Sequence, residues 1–191
     1  DLPSDNKQHC LNILKDIYET GENRYFDNKS TFRDNIEEKS FDMIILSNVF
    51  HEIDPIHWND EFGESSLINY ALKEDGILLI IEDQLIPIGE KAYQNGFLVF
   101  DKEQFKKLFT ISDYIVKEER NGRLKAHYIE KKYLKNMTTK TKKEAIKSLK
   151  GRAKEKVIEI RAGEASYENG KLHAFWTQQL ANAYLAYSQL Q

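Results

Sequence analysis

The residues best suited to chemistry stand in two polar clusters, each directly behind an apolar run. Phe41-Asp42-Met43-Ile44-Ile45-Leu46 leads into Ser47, Asn48, His51 and Glu52, and Gly76-Ile77-Leu78-Leu79-Ile80-Ile81 leads into Glu82 and Asp83. An imidazole ionises near neutrality, so a histidine oriented by a carboxylate can take a proton from an oxygen or nitrogen nucleophile. His51 is the candidate proton acceptor, with Glu52 beside it as a second catalytic candidate, while Ser47, Asn48, Glu82 and Asp83 are candidate substrate contacts. Each has a plainer alternative: His51 shapes a loop, Asn48 caps a turn, and Glu82 and Asp83 end a strand. His51-Glu52 also resembles the start of a zinc-protease motif, but the required second histidine, four residues on, is replaced by Pro55, and His57 is out of register. No metal site is expected. The lone Cys10 cannot form an internal disulfide, and redox chemistry is not indicated.

Positioning these clusters requires strands. Both apolar runs lack the alternation of a half-exposed strand, which predicts adjacent parallel strands over 41–47 and 76–81, buried on both faces. The turn signal Lys73-Glu74-Asp75-Gly76 precedes the second run, and Leu67, Ile68, Ala71 and Leu72 at helical spacing lie between the two, giving a strand, helix, strand crossover. Ligands of open α/β sheets collect beyond the carboxyl ends of the strands, where both polar clusters would then lie. Upstream, Ser4 or Asp5 can cap a helix with Cys10, Leu14, Ile17 and Tyr18 inward, stopped by Gly21 and followed by a short strand around 23–26. Downstream, 86–96 reads as a lid or as an ordinary connection. Asp101 and Gln104 form a capping box for a helix burying Phe105, Leu108 and Phe109. Asn121-Gly122 predicts a two-residue type I′ turn between strands over 114–120 and 123–131.

The last third changes character. Residues 131–161 hold 12 Lys or Arg against three Glu, whereas the rest of the chain is net acidic within an overall net charge of −3. Thr141 and Glu144 read as a capping box for a helix with Ile146, Leu149, Ala153, Val157 and Ile160 on one face. Asn169-Gly170 would end it, and Leu172, Trp176, Leu180, Tyr184 and Tyr187 mark one face of a second helix. The expected division is an α/β domain over 1–134 and a basic helical hairpin over 135–191. The stretch from Lys131 to Arg161 can contact nucleic-acid phosphates, but lysines on the outer side of a helix are usually solvated, and no stacking-aromatic pattern is interleaved with the run. No apolar stretch approaches the ~20 residues of a membrane span, and no signal core follows Asp1, which predicts a cytoplasmic chain.

The stretch from Phe41 to Ile53 resembles the fourth-strand motif of class I S-adenosylmethionine-dependent methyltransferases, and that from Leu72 to Glu82 resembles their fifth-strand motif. The hairpin about Asn121-Gly122 resembles their closing sixth and seventh strands, so the resemblance covers roughly 1–133. It implies part of a Rossmann-like sheet, methyl transfer to an oxygen or nitrogen acceptor, S-adenosylmethionine as cofactor, and a small-molecule or macromolecular methyl acceptor. It also places Asp1 near the acid that binds the cofactor's ribose, with a solvated terminal residue as the alternative. The sequence departs from the family in one respect: no Gly-rich turn follows a strand, and Gly21, Gly63, Gly76 and Gly89 stand isolated. The expectation is therefore that the family's first strand and loop belong upstream of Asp1, and that this chain alone binds the cofactor weakly or not at all and is inactive. A catalytically dead methyltransferase-like binding or regulatory protein, or a helical interaction module, are the alternatives.

Overall fold

A computed structural model describes residues 4–19, 24–86 and 97–190. The order is α1 (Ser4–Tyr18), α2 (Lys29–Asn35), β1 (Phe41–Ser47), a 3₁₀ turn (Phe50–Glu52), α3 (Trp58–Phe62), α4 (Leu67–Ala71) and β2 (Leu72–Asp83). Then come α5 (Lys102–Phe109), β3 (Val116–Glu118), β4 (Leu124–Glu130), a second 3₁₀ turn (Lys131–Asn136), α6 (Thr139–Ala162) and α7 (Tyr167–Gln189). The protein is α/β: one four-stranded mixed sheet of order β1-β2-β4-β3, with a C-terminal helical pair.

The expected parallel pair forms. Met43 through Ser47 register with Ile77 through Ile81, and β2 then pairs antiparallel with β4 from Ile77↔Glu130 to Asp83↔Leu124. The signal Lys73-Glu74-Asp75-Gly76 is not a turn before the strand but a bulge within it, because β2 carries three more residues than β1 between the Phe41↔Leu72 and Met43↔Ile77 pairings. Gly76 permits the bulge, since a Cβ there would meet the Lys73 carbonyl oxygen at 2.9 Å.

Burial on both faces holds for β2 but not for β1. Ile44 and Leu46 face the core with their partners Leu78 and Ile80, whereas Met43 and Ile45 are 38% and 57% exposed on the other face. Among the described residues β1 pairs with β2 alone, and its outer face is left to solvent. The continuous apolarity that suggested burial is real, and here it produces an apolar patch that includes Val49. In α1, likewise, Ile17 and Tyr18 expected to face inward are exposed, and no strand forms over residues 24–26. Gly21 lies outside the described residues.

The core lies on the inner face of the sheet. Phe50 sits among Trp58, Phe62, Phe100 and Phe105, with ring centroids 4.8 to 5.6 Å away. α5 forms with the Asp101/Gln104 capping box and buries Phe105, Leu108 and Phe109. The hairpin forms, but Glu119 N–H bonds the Leu124 carbonyl oxygen and Gly122 N–H that of Glu119. The loop therefore spans four residues, and only Gly122 (φ 68°), not Asn121, takes the left-handed conformation that type I′ demands of both.

The C-terminal helices differ from expectation at their ends. α6 is capped by Thr138 with Thr141 as the reciprocal residue, three residues before the expected cap, and it ends at Ala162 before Gly163. Asn169 and Gly170 lie in the first turns of α7, where the Ser166 hydroxyl accepts the Asn169 N–H. The buried face of α7 runs through Trp176, Gln179, Ala183 and Ala186 and continues in Leu190 just past its end, leaving Tyr184 outside. Ala145, Ile146 and Leu149 of α6 and Ala183, Ala186 and Leu190 join the same core as the sheet.

His127 of β4 is fully buried in that core against Phe105 (4.6 Å) and 2.9 Å from the Tyr114 hydroxyl. Burial pushes its pKa down from 6.5 to about 4. Between those values the unfolded chain binds the proton and the folded chain does not, so stability is fullest above pH 6.5 and falls as the pH drops towards 4, by at most about 3 kcal/mol. Urea unfolding across that window should show the loss in the wild type and a flatter profile in His127→Gln.

Candidate functional site

The site begins at the ends of the parallel strands. After Ser47 the chain reverses at Asn48, a non-glycine residue with φ 52°, a conformation that asparagine tolerates better than most side chains. Its N–H donates to the Ile81 carbonyl oxygen (2.8 Å), and its side-chain Oδ1 accepts from the Asp83 N–H (2.9 Å). Asn48 therefore stitches the end of β1 to the end of β2. The 3₁₀ turn that follows drives Phe50 into the core and carries His51 over the end of β2.

There His51 meets Glu82. His51 Nδ1 lies 2.5 Å from Glu82 Oε2, and the other carboxylate oxygen accepts the Phe50 N–H at 2.9 Å. His51 is 2% exposed and Glu82 0%. A carboxylate accepts, so the proton sits on Nδ1 and Nε2 becomes the basic nitrogen of the ring. Glu52, the companion expected from sequence, is 53% exposed and reaches only to 4.0 Å of Nε2. The structure thus pairs the histidine with Glu82, a residue that the sequence grouped with substrate contacts.

Asp83 has a different partner. Arg123, from the hairpin loop, grips it through Nε (3.0 and 2.9 Å to the two oxygens) and Nη2 (2.7 Å), and the Leu85 N–H adds a further bond. Burial works to raise the Asp83 carboxyl, but these donors outweigh it and hold the group below the usual carboxylate range. Arg123 also lines a cleft of about 570 Å³ with Leu85, Ile86, Lys171, Leu172 and Phe175. Ser47 is exposed at the end of the edge strand. Asp1 and residues 87–96 lie outside the described residues.

The sequence missed how the dyad's far wall is held. Phe97 sets its ring edge-on to His51 at 5.9 Å, and its N–H donates to the His51 carbonyl oxygen. The amide of Gln179 on α7 accepts from Val99 N–H and donates to the Phe97 carbonyl oxygen, both at 2.9 Å. Gln84 Nε2 bonds the Phe100 carbonyl oxygen at 3.0 Å. A lone glutamine on an otherwise apolar helix face was the available signal for Gln179. From α6, Lys142 Nζ donates to the Pro55 carbonyl oxygen (2.9 Å), and burial lowers its pKa against the opposing pull of Asp60 and Asp54.

Among the described residues no group of three or more His, Cys, Asp or Glu is placed to hold a metal ion. Nor is any helix among them long and apolar enough to cross a membrane. In comparisons with known proteins, the chain matches no protein-family model, no curated protein and no solved structure.

The dyad's role in the fold is directly measurable. Glu82→Ala strips the acceptor from both Phe50 N–H and His51 and should lower unfolding free energy by about 2 to 4 kcal/mol in chemical denaturation. Glu82→Gln, which keeps an acceptor for Phe50 N–H, should lose less, and the half-exposed Glu52→Ala should lie within about 0.5 kcal/mol of wild type.

Proposed function

We propose that this chain is the acceptor-side portion of a class I S-adenosylmethionine-dependent methyltransferase, in which His51, oriented by Glu82, takes the proton from an oxygen or nitrogen methyl acceptor. The observation that carries the reading is the His51–Glu82 dyad, standing where two parallel strands end. A carboxylate on Nδ1 fixes the tautomer that leaves Nε2 to receive a proton, the arrangement a general base needs. The parallel pair closed by an antiparallel hairpin agrees with the sheet that the resemblance implies.

The described residues do not fit the cofactor. Among them, no glycine follows a strand and opens a helix: Gly76 lies in the β2 bulge, Gly122 in the hairpin loop, Gly63 and Gly163 at helix ends, Gly151 within α6, and Gly170 in α7, which follows a helix. No residue here is assigned to hold S-adenosylmethionine. The open edge of β1, with Met43 and Ile45 exposed beside it, supports placing the cofactor-binding portion against that edge.

A second reading rests on the near-complete burial of His51: a methyltransferase-like binding protein in which the dyad only shapes the loop. Two measurements separate the possibilities. Calorimetry of this chain with S-adenosylmethionine should show no low-micromolar binding, and finding it would place a cofactor site among these residues. In a form of the protein that turns over, His51→Ala should lower turnover by ~10²-fold or more with cofactor affinity little changed. Near-normal turnover across neutral pH would remove the base role and leave the binding-protein reading.

A further inference from the structure

The basic run resolves, once folded, into lysines of different kinds. Lys140, Lys143, Lys147, Lys150 and Lys154 recur every three or four residues, so they form one stripe along α6, roughly 21 Å long at 1.5 Å per residue. Elsewhere on the helices, Lys106, Lys156 and Lys171 each hold a glutamate three residues away. On the stripe, among the described residues, only Lys140 has a carboxylate within 4.0 Å, that of Glu144. The neighbouring helix does not neutralise it either, because the sequence contains no Asp or Glu between Lys171 and Gln191.

What α7 supplies instead is aromatic. Lys150 Nζ lies 3.7 Å from the ring centroid of Tyr184 and 4.7 Å from that of Tyr187, and Lys143 lies 5.8 Å from Tyr187. Tyr184 is 56% exposed, and Tyr187, half-buried against the core, joins Lys140, Lys143, Glu144 and Lys147 around a surface groove of about 450 Å³. The aromatic residues that α6 itself lacks are therefore set beside its lysines in space, contributed by the neighbouring helix.

We infer that this face of α6 and α7 is a binding surface for single-stranded nucleic acid, with the lysine stripe on the phosphates and Tyr184 and Tyr187 offering rings to the bases. A linear row of cations, of which only Lys140 has a carboxylate within 4.0 Å among the described residues, suits a linear polyanion, and rings set among them suit unpaired bases, which stack irrespective of sequence. The inference does not depend on methyl transfer and is tested without it.

The test is fluorescence anisotropy of the full chain with a labelled single-stranded oligonucleotide of roughly 20 nucleotides, from roughly 50 to 200 mM salt. Affinity should fall with salt with a logarithmic slope of about −3, as ~0.7 per lysine engaged requires. The combined change Lys143→Gln, Lys147→Gln and Lys150→Gln should weaken binding at least ~10-fold and remove about 2 from that slope. Lys147→Glu alone, at an exposed position, should weaken binding in the same direction and keeps the test decisive if the triple change disturbs folding. Tyr184→Leu with Tyr187→Leu should weaken oligonucleotide binding by roughly 10-fold while leaving inorganic polyphosphate binding unchanged. Lys156→Gln with Lys171→Gln should change neither. Unaltered binding in the lysine variants, equal loss of polyphosphate binding in the tyrosine variant, or tighter capture by phosphatidylserine vesicles than by the oligonucleotide would overturn the inference.

Discussion

A carboxyl group with no exposure to solvent must find partners inside the protein, and Glu82 finds two. One oxygen takes the Phe50 N–H and the other takes His51 Nδ1. Since both partners lie within one 3₁₀ turn, this single side chain fixes how the backbone leaves β1. It holds Phe50 where its ring can join four others, and it turns His51 over the end of β2. Without it the loop after β1 would lose two of the bonds that hold it down across the sheet. The left-handed Asn48 serves the same end, bonding both Ile81 and Asp83 across the two strands.

Much of this was legible in sequence because it depends on neighbours along the chain. The apolar runs 41–47 and 76–81, the Asp101/Gln104 capping box and the inward phenylalanines of α5 are local patterns, and each forms where expected. His51, Asn48, Glu82 and Asp83 were recognisable as strand-end polar residues. Their pairing was not, because registering Ser47 against Ile81 is a tertiary fact that brings Glu82, 31 residues away, to His51 and leaves the adjacent Glu52 outside. Arg123 could not be foreseen as the partner of Asp83 without knowing that Leu124 registers opposite it.

The misreadings share a cause. Apolar composition measures what a strand can bury, not what its surroundings provide, so β1 reads as central and lies at an edge. The Asn121-Gly122 pair signals a reversal correctly, but the loop length is set by where the β4 ladder begins, which two residues cannot encode. For the helix caps, Thr138 and Thr141 compete with Thr141 and Glu144, and tertiary contacts decide: starting at Thr139 places Lys142 where it reaches the Pro55 carbonyl oxygen.

That contact bears on how the two halves of the sequence relate. Composition separates the basic stretch from the rest, yet Lys131 bonds the Leu72 carbonyl oxygen at the start of β2, and Lys142 bonds the loop that carries His51. Arg152 lies over Trp176 and reaches towards Asp101 and Gln84, and Gln179 clamps the segment from Phe97 to Val99 beside the histidine. α6 therefore turns Lys142 and Arg152 inward, the first as a donor to a backbone carbonyl oxygen and the second towards side-chain oxygens, and turns the lysine stripe outward. Lys142 of α6 and Gln179 of α7 thus anchor these helices to the segments on either side of the dyad. The segment lying against His51 is thus held by residues that stand about 80 positions further along the chain, so the composition boundary in the sequence is not a boundary in the packing.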